Sequence, residues 1–311
     1  MKKTLVAVAA LAAVTGAMAE ATISGVLEAA VAKTSTGTSF GSGSNGGSEF
    51  TLSASEDLGN GLKAFGQFTV IGNMNTSNAA HTGVQATAGH SSATNTATGS
   101  TFGSYQNWIG LSGDFGSVKL GQFWSNTFYT SIVGDVVSRS AFTNQLHGGA
   151  QGQIANAVNY TSPSFSGLSV SYTKSVDSTV AAEQYNDYSV NYSNGGLNLS
   201  YARGSLGTGT ATKETILAGN YNFGMATLYI GSIITTASNT ASTSGTSYGV
   251  AVPFGETTLS VGSGTASSNI NNYQVLLNHN LSKRTRVYVH TANGTTAARP
   301  VTSQIGVRHN F

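Results

Sequence analysis

Several features that usually stabilise a protein or mark its chemistry are scarce in this sequence. It contains no cysteine and only three prolines, and charged residues make up 8% of its 311 positions. Without cysteine it has neither disulfides nor thiolate metal sites. It also has no apolar run of the ~20 residues that a membrane-spanning helix needs. Its stability must therefore come from strand pairing and from a large apolar surface.

The N-terminus, residues 1–19, has the pattern of a secretory signal peptide. Lys2 and Lys3 precede a short apolar run, and small residues flank position 18 as the cleavage rule requires. We predict cleavage after Ala19, which leaves residues 20–311 as a single mature domain; an uncleaved anchor is the alternative. Because the two lysines are removed, twelve basic residues balance twelve acidic ones. A nucleic-acid partner therefore loses its electrostatic basis.

Short turns alternate with long connections along the mature chain. The short turns contain Gly, Asn or Pro, which favour turn geometry, and occupy residues 57–60, 113–116, 162–166, 193–196, 222–224, 253–255 and 280–282. The long connections are rich in Gly, Ser, Thr and Asn and occupy residues 34–47, 75–103, 126–153, 176–182, 204–211, 236–245, 265–270 and 293–302. The segments between them predict about sixteen strands in one antiparallel meander, an even number as bacterial barrels have.

Apolar and polar residues alternate within these segments. Leu168, Val170 and Tyr172 share one face of a strand, and the same alternation recurs in residues 188–192 and 197–201. A soluble β-sandwich gives a similar pattern. Here, however, the polar face carries small Ser, Thr and Asn residues, and Tyr or Phe recurs near strand ends as in an aromatic girdle. The pattern therefore favours an all-β fold, a transmembrane antiparallel β-barrel.

The last strand is the most informative. Ile305, Val307 and Phe311 fall on one parity with His309 between them, and Arg308 falls on the other. We predict that this strand closes the barrel and that Phe311 is a barrel-closing and assembly signal, read by the barrel-assembly machinery.

Four stretches resemble the trimeric Gram-negative porins of beta-proteobacteria and neisseriae. They are residues 55–64, 108–121, 156–168 and 307–311. The resemblance implies a sixteen-stranded barrel in the outer membrane of a Gram-negative bacterium, surrounded by lipid and lipopolysaccharide. It implies a homotrimer whose water-filled channels let ions and small polar solutes diffuse passively.

The resemblance also implies a third loop, about residues 126–153, folded inward to constrict the pore. This loop carries Asp135, Arg139 and His147. The family places basic residues on the pore wall near the second hairpin; Lys119 keeps one of them, but Gln122 occupies the next such position.

Strand parity predicts which side chains reach the lumen, where charges close to the ion set selectivity. The predicted lumen set is Glu28, Lys63, Gln67, Lys119, Arg284, Arg286, His290 and Arg308. The three arginines are expected to form one basic patch on the last two strands, unless loop carboxylates pair with them. Glu28 is placed to pair with Arg308 across the closing seam. With a neutral mature chain, we expect weak selectivity, slightly for anions.

The remaining alternatives are weaker. No nucleophile elbow, phosphate loop or metal motif occurs, and the six histidines show no ligand spacing, so we predict no enzyme, cofactor or metal. An exported β-rich adhesin fits the composition but not the turn asymmetry. A substrate-specific channel would be marked by an aromatic slide or by a dense charge ladder. The only candidates, at the start of the third loop, are Phe123, Trp124, Phe128 and Tyr129, and they are better interpreted as loop packing. His279 and His309 fall on the apolar parity, where a barrel rim or a protein contact suits them.

Overall fold

The structure is a computed structural model that describes residues 19–34, 37–41, 48–72, 105–137, 152–176, 184–207, 212–236, 242–265, 271–294 and 301–311. The signal peptide prediction and most of the long loops lie outside these ranges. Among the described helical residues, none form a segment long and apolar enough to cross a membrane.

Seventeen strands and one helix make up the described chain. In order they are β1 (Glu20–Thr34), β2 (Gly37–Gly41), β3 (Ser48–Gly59), β4 (Leu62–Gly72), β5 (Gln106–Gly113), β6 (Gly116–Trp124), α1 (Asn126–Val133), β7 (Gln153–Thr161), β8 (Leu168–Ser175), β9 (Tyr185–Asn194), β10 (Leu197–Leu206), β11 (Thr212–Asn222), β12 (Thr227–Thr236), β13 (Thr243–Phe254), β14 (Thr257–Thr265), β15 (Asn271–Asn280), β16 (Thr285–Gly294) and β17 (Thr302–Asn310).

The strands form a closed barrel. From β3 onward each strand pairs antiparallel with the next, and β1 pairs with β17 from Val26↔Asn310 to Lys33↔Ser303. On its other side β1 pairs with β3 at one end and with β2 at the other. Because β2 and β3 share one side of β1, the wall has sixteen strand positions. The predicted antiparallel sixteen-stranded barrel is confirmed.

One element was not predicted. The strand β2 lies inside the connection predicted at residues 34–47 and continues the ladder along Ala30–Thr34 of β1. Its sequence, Gly-Thr-Ser-Phe-Gly, contains a single apolar side chain. An alternation signal needs several, so the prediction of a continuous loop was wrong here.

The predicted short turns join consecutive strands. Asn60 and Gly61, between β3 and β4, have φ values of 53° and 77°, and Gly195, between β9 and β10, has a φ of 60°. These left-handed conformations are the ones that Asn and Gly adopt most readily, which explains why the turn residues marked these positions in the sequence.

The two faces of the wall differ as a membrane barrel requires. On β8 the outward side chains of Leu168, Val170 and Tyr172 are 44%, 45% and 47% exposed, whereas the inward Ser171 and Thr173 are 6% and 0% exposed. A soluble sandwich would bury the apolar face and expose the polar one. An exposed apolar outer face with a polar interior is the arrangement of a barrel surrounded by lipid.

The closing seam extends to the last residue. The backbone N–H of Phe311 donates to the carbonyl oxygen of Gly25 at 3.1 Å, and the N–H of Gly25 donates back at 3.2 Å. A Cβ atom at Gly25 would lie 2.6 Å from Cζ of the Phe311 ring. Glycine at this position therefore leaves room for the terminal ring against β1.

Candidate pore and its third loop

The loop that follows β6 begins with a short helix. Ser125 is the N-cap of α1, and its Oγ accepts a hydrogen bond from the N–H of Phe128 at 3.0 Å. Serine at this position satisfies one of the first N–H groups of the helix, which have no partner within the helix. Gly134 ends the helix after two turns.

Helix α1 lies inside the barrel, against the inward side chains of β9 to β12. Thr130 Oγ1 lies 2.7 Å from Ser200 Oγ on β10, and the Asn220 amide on β11 donates to the Val133 carbonyl at 2.9 Å. The side chain of Val133 packs against Ile216 and Ile233, which are fully buried. These two isoleucines point into the barrel, where the helix covers them.

Asp187 on β9 fixes the N-terminus of the helix. Its Oδ2 accepts hydrogen bonds from the backbone N–H groups of Asn126 at 2.6 Å and of Thr127 at 3.2 Å, and its Oδ1 accepts from the Asn126 side-chain amide at 2.8 Å. A carboxylate at a helix N-terminus satisfies the free N–H groups and interacts favourably with the helix dipole. Asp187 thus connects α1 to the wall.

Glu214 on β11 adds a second carboxylate under the helix. The Thr127 hydroxyl donates to Glu214 Oε1 at 2.5 Å, and the Tyr185 hydroxyl donates to Asp187 Oδ2 at 3.0 Å. A Cβ atom on Gly204 would lie 2.7 Å from the Tyr185 hydroxyl oxygen. The wall is therefore shaped around this polar cluster, in which both carboxylates are buried.

Beyond the helix the loop continues along the inner wall. Val136 lies over β13 and β14, where a Cβ atom on Gly249 or on Gly262 would approach its Cγ1 to 2.6 Å. The next residue, Val137, packs in a cluster with Ala30, Leu276 and Tyr288, from β1, β15 and β16. Residues 126–137 thus cover the inside of the wall from β8 round to β1.

Asp135 occupies the middle of this path. Its Oδ1 accepts hydrogen bonds from the N–H of Val137 at 3.1 Å and from the Gln274 amide at 3.2 Å. Its Oδ2 has no hydrogen-bond partner among the described residues. Burial disfavours the charged form and raises the pKa of Asp135 to about 6, although the two hydrogen bonds oppose this shift.

The opposite wall, β3 to β6, is not covered by the described part of the loop and carries basic residues. Lys63 and Lys119 lie on the inward parity of β4 and β6. The Lys119 Nζ lies 5.1 Å from the centroid of the Trp108 ring and 5.9 Å from that of Phe123, within cation–π range. The Phe65 ring packs edge-on against Trp108, at 5.4 Å between centroids.

The closing seam holds a compact charged group. Arg308 Nη1 lies 3.0 Å from Glu28 Oε2, and the Tyr288 hydroxyl donates to Glu28 Oε1 at 2.6 Å. Arg286 is the cross-strand partner of Arg308, and its Nε has no hydrogen-bond partner among the described residues. The ion pair expected across the seam is present, and the two arginines outnumber its one carboxylate.

Three of the predicted site residues do not join these groups. Arg284 lies in the exposed turn before β16, so the predicted patch contains two arginines and not three. Gln122 pairs with Asn107 on the outer parity, opposite to that of Lys119, and its amide donates to the Tyr105 carbonyl at 3.3 Å. Arg139 lies outside the described residues, as does His147. Gln122 was predicted to lie on the pore wall because it occupies a position where the family has a basic residue, and strand parity was not used for it.

The other predicted lumen residues lie where parity placed them. Gln67 on β4 faces inward and donates to Thr69 Oγ1 at 2.8 Å, and His290 on β16 is buried. His279 and His309 lie on the outer face at the short-turn end, and their Nδ1 atoms lie 2.9 and 2.8 Å from threonine hydroxyls. That position is a barrel rim.

The aromatic residues at the start of the loop pack against one another. The Trp124 and Phe128 rings stack at 3.8 Å between centroids, and the Phe128 and Tyr129 rings meet edge-on at 5.9 Å. Phe123 is buried with Ile154 and Tyr185. The interpretation of these residues as loop packing agrees with this arrangement.

Sequence reasoning missed the residues that hold the loop. Asp187, Glu214 and Tyr288 were not assigned to the pore, although all three lie at inward positions of their strands. The sequence signal that could have identified them is a charged residue or a tyrosine at an inward position, on the strand face that otherwise carries small polar side chains. Phe65 and Trp108 also lie at inward positions of their strands, and they too were not assigned to the pore.

Comparison with known proteins agrees with this architecture. The chain is 30% identical to the major outer membrane protein P.IB of Neisseria lactamica over 241 residues, 70% of this chain and 62% of that protein. The matched region spans about three fifths of the length of the P.IB proteins. By structure the chain resembles an anion-selective porin from Comamonas acidovorans, with a TM-score of 0.73, 24% identity and coverage of 94% and 100% of the two chains.

A further structural neighbour is the trimer form of OmpT from Vibrio cholerae. The TM-score is 0.66 at 12% identity, over 94% of this chain and 99% of that one. Residues 7–298 match the sequence profile of the Gram-negative porin family. This match covers nearly the whole strand meander, so the chain is a Gram-negative outer-membrane β-barrel and belongs to the Gram-negative porin family.

Proposed function

We propose that the protein is a water-filled channel through which ions and small hydrophilic solutes diffuse passively across the outer membrane. The observation that carries this proposal is a closed barrel with an apolar exterior, a polar interior and a loop bound along one inner wall. Such a barrel leaves an aqueous path beside the loop. As a member of a family of channels, the chain is not an enzyme.

We also propose that the channel is weakly selective for anions. The carboxylates of Asp187, Glu214 and Asp135 are buried where the loop meets the wall. The lysines of the opposite wall and the arginine pair at the seam face the interior with one paired carboxylate, Glu28. Glu49 and Asp57 on β3 also face inward, Asp57 as the cross-strand partner of Lys63, and they reduce the excess of positive charge, which is why we expect weak selectivity. A structural neighbour of the chain is an anion-selective porin.

The constricting role of the loop, the oligomeric state and the partners are part of the same proposal. Residues 126–137 narrow the lumen from one side, and Lys63, Lys119, Arg286 and Arg308 face the path that remains. We propose a homotrimer in contact with outer-membrane lipid and lipopolysaccharide. The barrel-assembly machinery would read the closing strand that ends at Phe311.

Liposome swelling tests the channel directly. The mature protein, residues 20–311, is refolded in detergent and reconstituted, and swelling rates are measured in isotonic sugars of increasing size. A water-filled pore gives rates that fall steeply with sugar size, together with stepwise conductance in planar bilayers. Folded, heat-modifiable protein without swelling or conductance would favour the adhesin alternative. Unfolded protein provides the control for leakage.

A further inference from the structure

Two aromatic side chains of the wall from β3 to β6 have no part in the function proposed above. Phe65 on β4 and Trp108 on β5 lie at inward positions, and both are only half-buried. Three other inward aromatic side chains, Tyr185, Tyr288 and Phe123, are at most 2% exposed and belong to buried clusters. Phe65 and Trp108 therefore present ring surface to solutes in the lumen.

Glycines on the neighbouring strands leave room for these rings. Phe65 pairs with Gly110, which pairs with Lys119, so the three residues form one row of the wall. A Cβ atom on Gly110 would lie 3.1 Å from Cζ of Phe65 and 3.2 Å from Cγ of Lys119. Gly121 is the cross-strand partner of Trp108, and a Cβ atom there would lie 3.0 Å from the Trp108 Cβ. The ring of Phe65 and the aliphatic stem of Lys119 thus both lie over Gly110.

Packing holds the two rings in place. Their centroids are 5.4 Å apart and their planes are inclined at 74°, an edge-to-face geometry that aromatic pairs prefer. Trp108 also packs against the buried cluster that contains Phe123, Ile154 and Tyr185. A ligand ring therefore meets a surface that is already ordered, which lowers the entropic cost of binding.

Lys119 places a positive charge at the edge of this surface. Its Nζ lies 5.1 Å from the centroid of the Trp108 ring. Its cross-strand partners, Gly110 and Asn159, are uncharged, and it forms no ion pair with a carboxylate of the described residues. The ammonium group is therefore available to an anion that enters the channel.

We propose that Phe65, Trp108 and Lys119 form a subsite for small aromatic carboxylates inside the channel. The ring of such a solute packs against the two aromatic side chains, and its carboxylate accepts a hydrogen bond from the Lys119 Nζ. An inorganic anion contacts only the lysine, and an uncharged aromatic solute contacts only the rings. The proposal rests on the proposed water-filled channel and names a class of solute that this channel favours.

Two anions of equal charge and similar size provide the test. Benzoate has a planar aromatic ring, whereas the ring of cyclohexanecarboxylate is saturated. Each is titrated at neutral pH against the KCl conductance of single channels, and the concentration that gives half of the maximal decrease in current is taken as the dissociation constant. Benzoate is expected to bind about fivefold more tightly than cyclohexanecarboxylate, and uncharged benzamide about fivefold more weakly than benzoate.

Matched substitutions assign these differences to the subsite. F65L removes a ring from the lumen side of β4, and F68L makes the same change on its outer side, where Phe68 is exposed. K119M removes the charge but keeps the stem, and K283M is its control in an exposed turn. F65L is expected to lower the preference for benzoate below about twofold, and K119M to weaken both anions about fivefold. The two controls are expected to behave as the wild type.

The outcomes separate the subsite from the channel. Equal dissociation constants of the wild type for benzoate and cyclohexanecarboxylate, equal preferences in F65L and F68L, or an unchanged benzoate affinity in K119M would each overturn the proposal. If F65L does not fold, the comparison of the two anions on the wild type and on K119M decides. Wild-type protein without KCl conductance would contradict the proposed channel, whereas a conducting channel without a preference for benzoate would contradict the subsite alone.

Discussion

The two inner walls of this barrel are built differently. The wall from β8 to β16 carries glycine, small polar residues and apolar residues such as Ile216, Ile233 and Leu276, with Asp187 and Glu214 buried beneath the loop. The wall from β3 to β6 carries Lys63 and Lys119 beside inward aromatic rings, and the described part of the loop meets it at Trp124, the last residue of β6. The wall from β8 to β16 packs against the backbone of the loop, and the wall from β3 to β6 faces the lumen.

The difference between the two walls shows how a chain with few charged residues can place the groups that hold the loop and the groups that face the lumen on separate walls. A buried carboxylate is stable only when hydrogen bonds replace its water, and the N–H groups of α1 supply them to Asp187. On the other wall Lys63 is exposed and keeps its hydration, and the charge of the half-buried Lys119 is stabilised by the ring of Trp108. We therefore propose that Asp187 and Glu214 anchor the loop and that Lys63 and Lys119 act on the permeating ion.

The largest effect is expected for D187A. The variant removes the acceptor of two backbone N–H groups and of the Asn126 amide, which costs about 3 kcal/mol at the loop because these donors stay buried. The loop should detach from the wall, so single-channel conductance should rise and fluctuate. Planar-bilayer recording measures it. D114A, in an exposed turn, is the control; equal conductance in both variants would show that Asp187 does not hold the loop.

A second effect concerns pH and Asp135. Its pKa of about 6 lies above its ordinary value of 3.8, so ionisation opposes loop packing. The stability of the packed loop is therefore greatest below pH 4 and falls as the pH rises through 6. Conductance fluctuations should be more frequent at pH 7.5 than at pH 4.

The variant D135N separates this group from the other carboxylates. It cannot ionise, so it should be as quiet as the wild type at pH 4 and quieter than the wild type at pH 7.5. Identical pH profiles for the two proteins would assign the titration to another residue.

A smaller effect is expected on the open wall. K119E changes one charge facing the lumen by two units. A unit charge some 8 Å from the ion in water changes its energy by roughly 0.5 kcal/mol, with opposite signs for anion and cation, and salt roughly halves this, so the anion-to-cation permeability ratio should fall about fivefold. The reversal potential in a KCl gradient measures this. K283E makes the same change in an exposed turn outside the lumen and should leave the ratio unaltered.

The smallest effect is expected from a cross-link that holds the loop where it already lies. Thr130 Oγ1 and Ser200 Oγ are 2.7 Å apart, and the chain has no cysteine of its own. T130C/S200C should form a disulfide with the same conductance before and after reduction. A conductance that changes on reduction would mean that the loop occupies another position in the open channel.

The fold could be predicted from the sequence because every barrel strand repeats the same local pattern of alternating apolar and polar residues between turns. Alternation along Leu168–Tyr172 and turn residues such as Asn60-Gly61 each depend on near neighbours, so the strand count and the short turns followed from reading the chain. The short strand β2 did not, because its ladder depends on β1 and not on its own side chains.

Site residues could be predicted from the sequence only where strand parity and register alone determine their position. Glu28 and Arg308 lie on adjacent strands at the seam, so their pairing followed from register. The contact between Asp187 and Asn126 joins residues 61 positions apart through a loop whose path the sequence does not encode locally. The prediction for Gln122 was wrong because it relied on a position in the resembling family, whereas strand parity places this residue on the outer face.

The reversal potential of the wild-type channel in a tenfold KCl gradient tests the central claim most directly. If the carboxylates are buried against the loop and the basic residues face the lumen, the potential has the sign of a weak preference for chloride. A clear preference for potassium would mean that the acidic residues face the permeating ions, and it would contradict the division between the two walls.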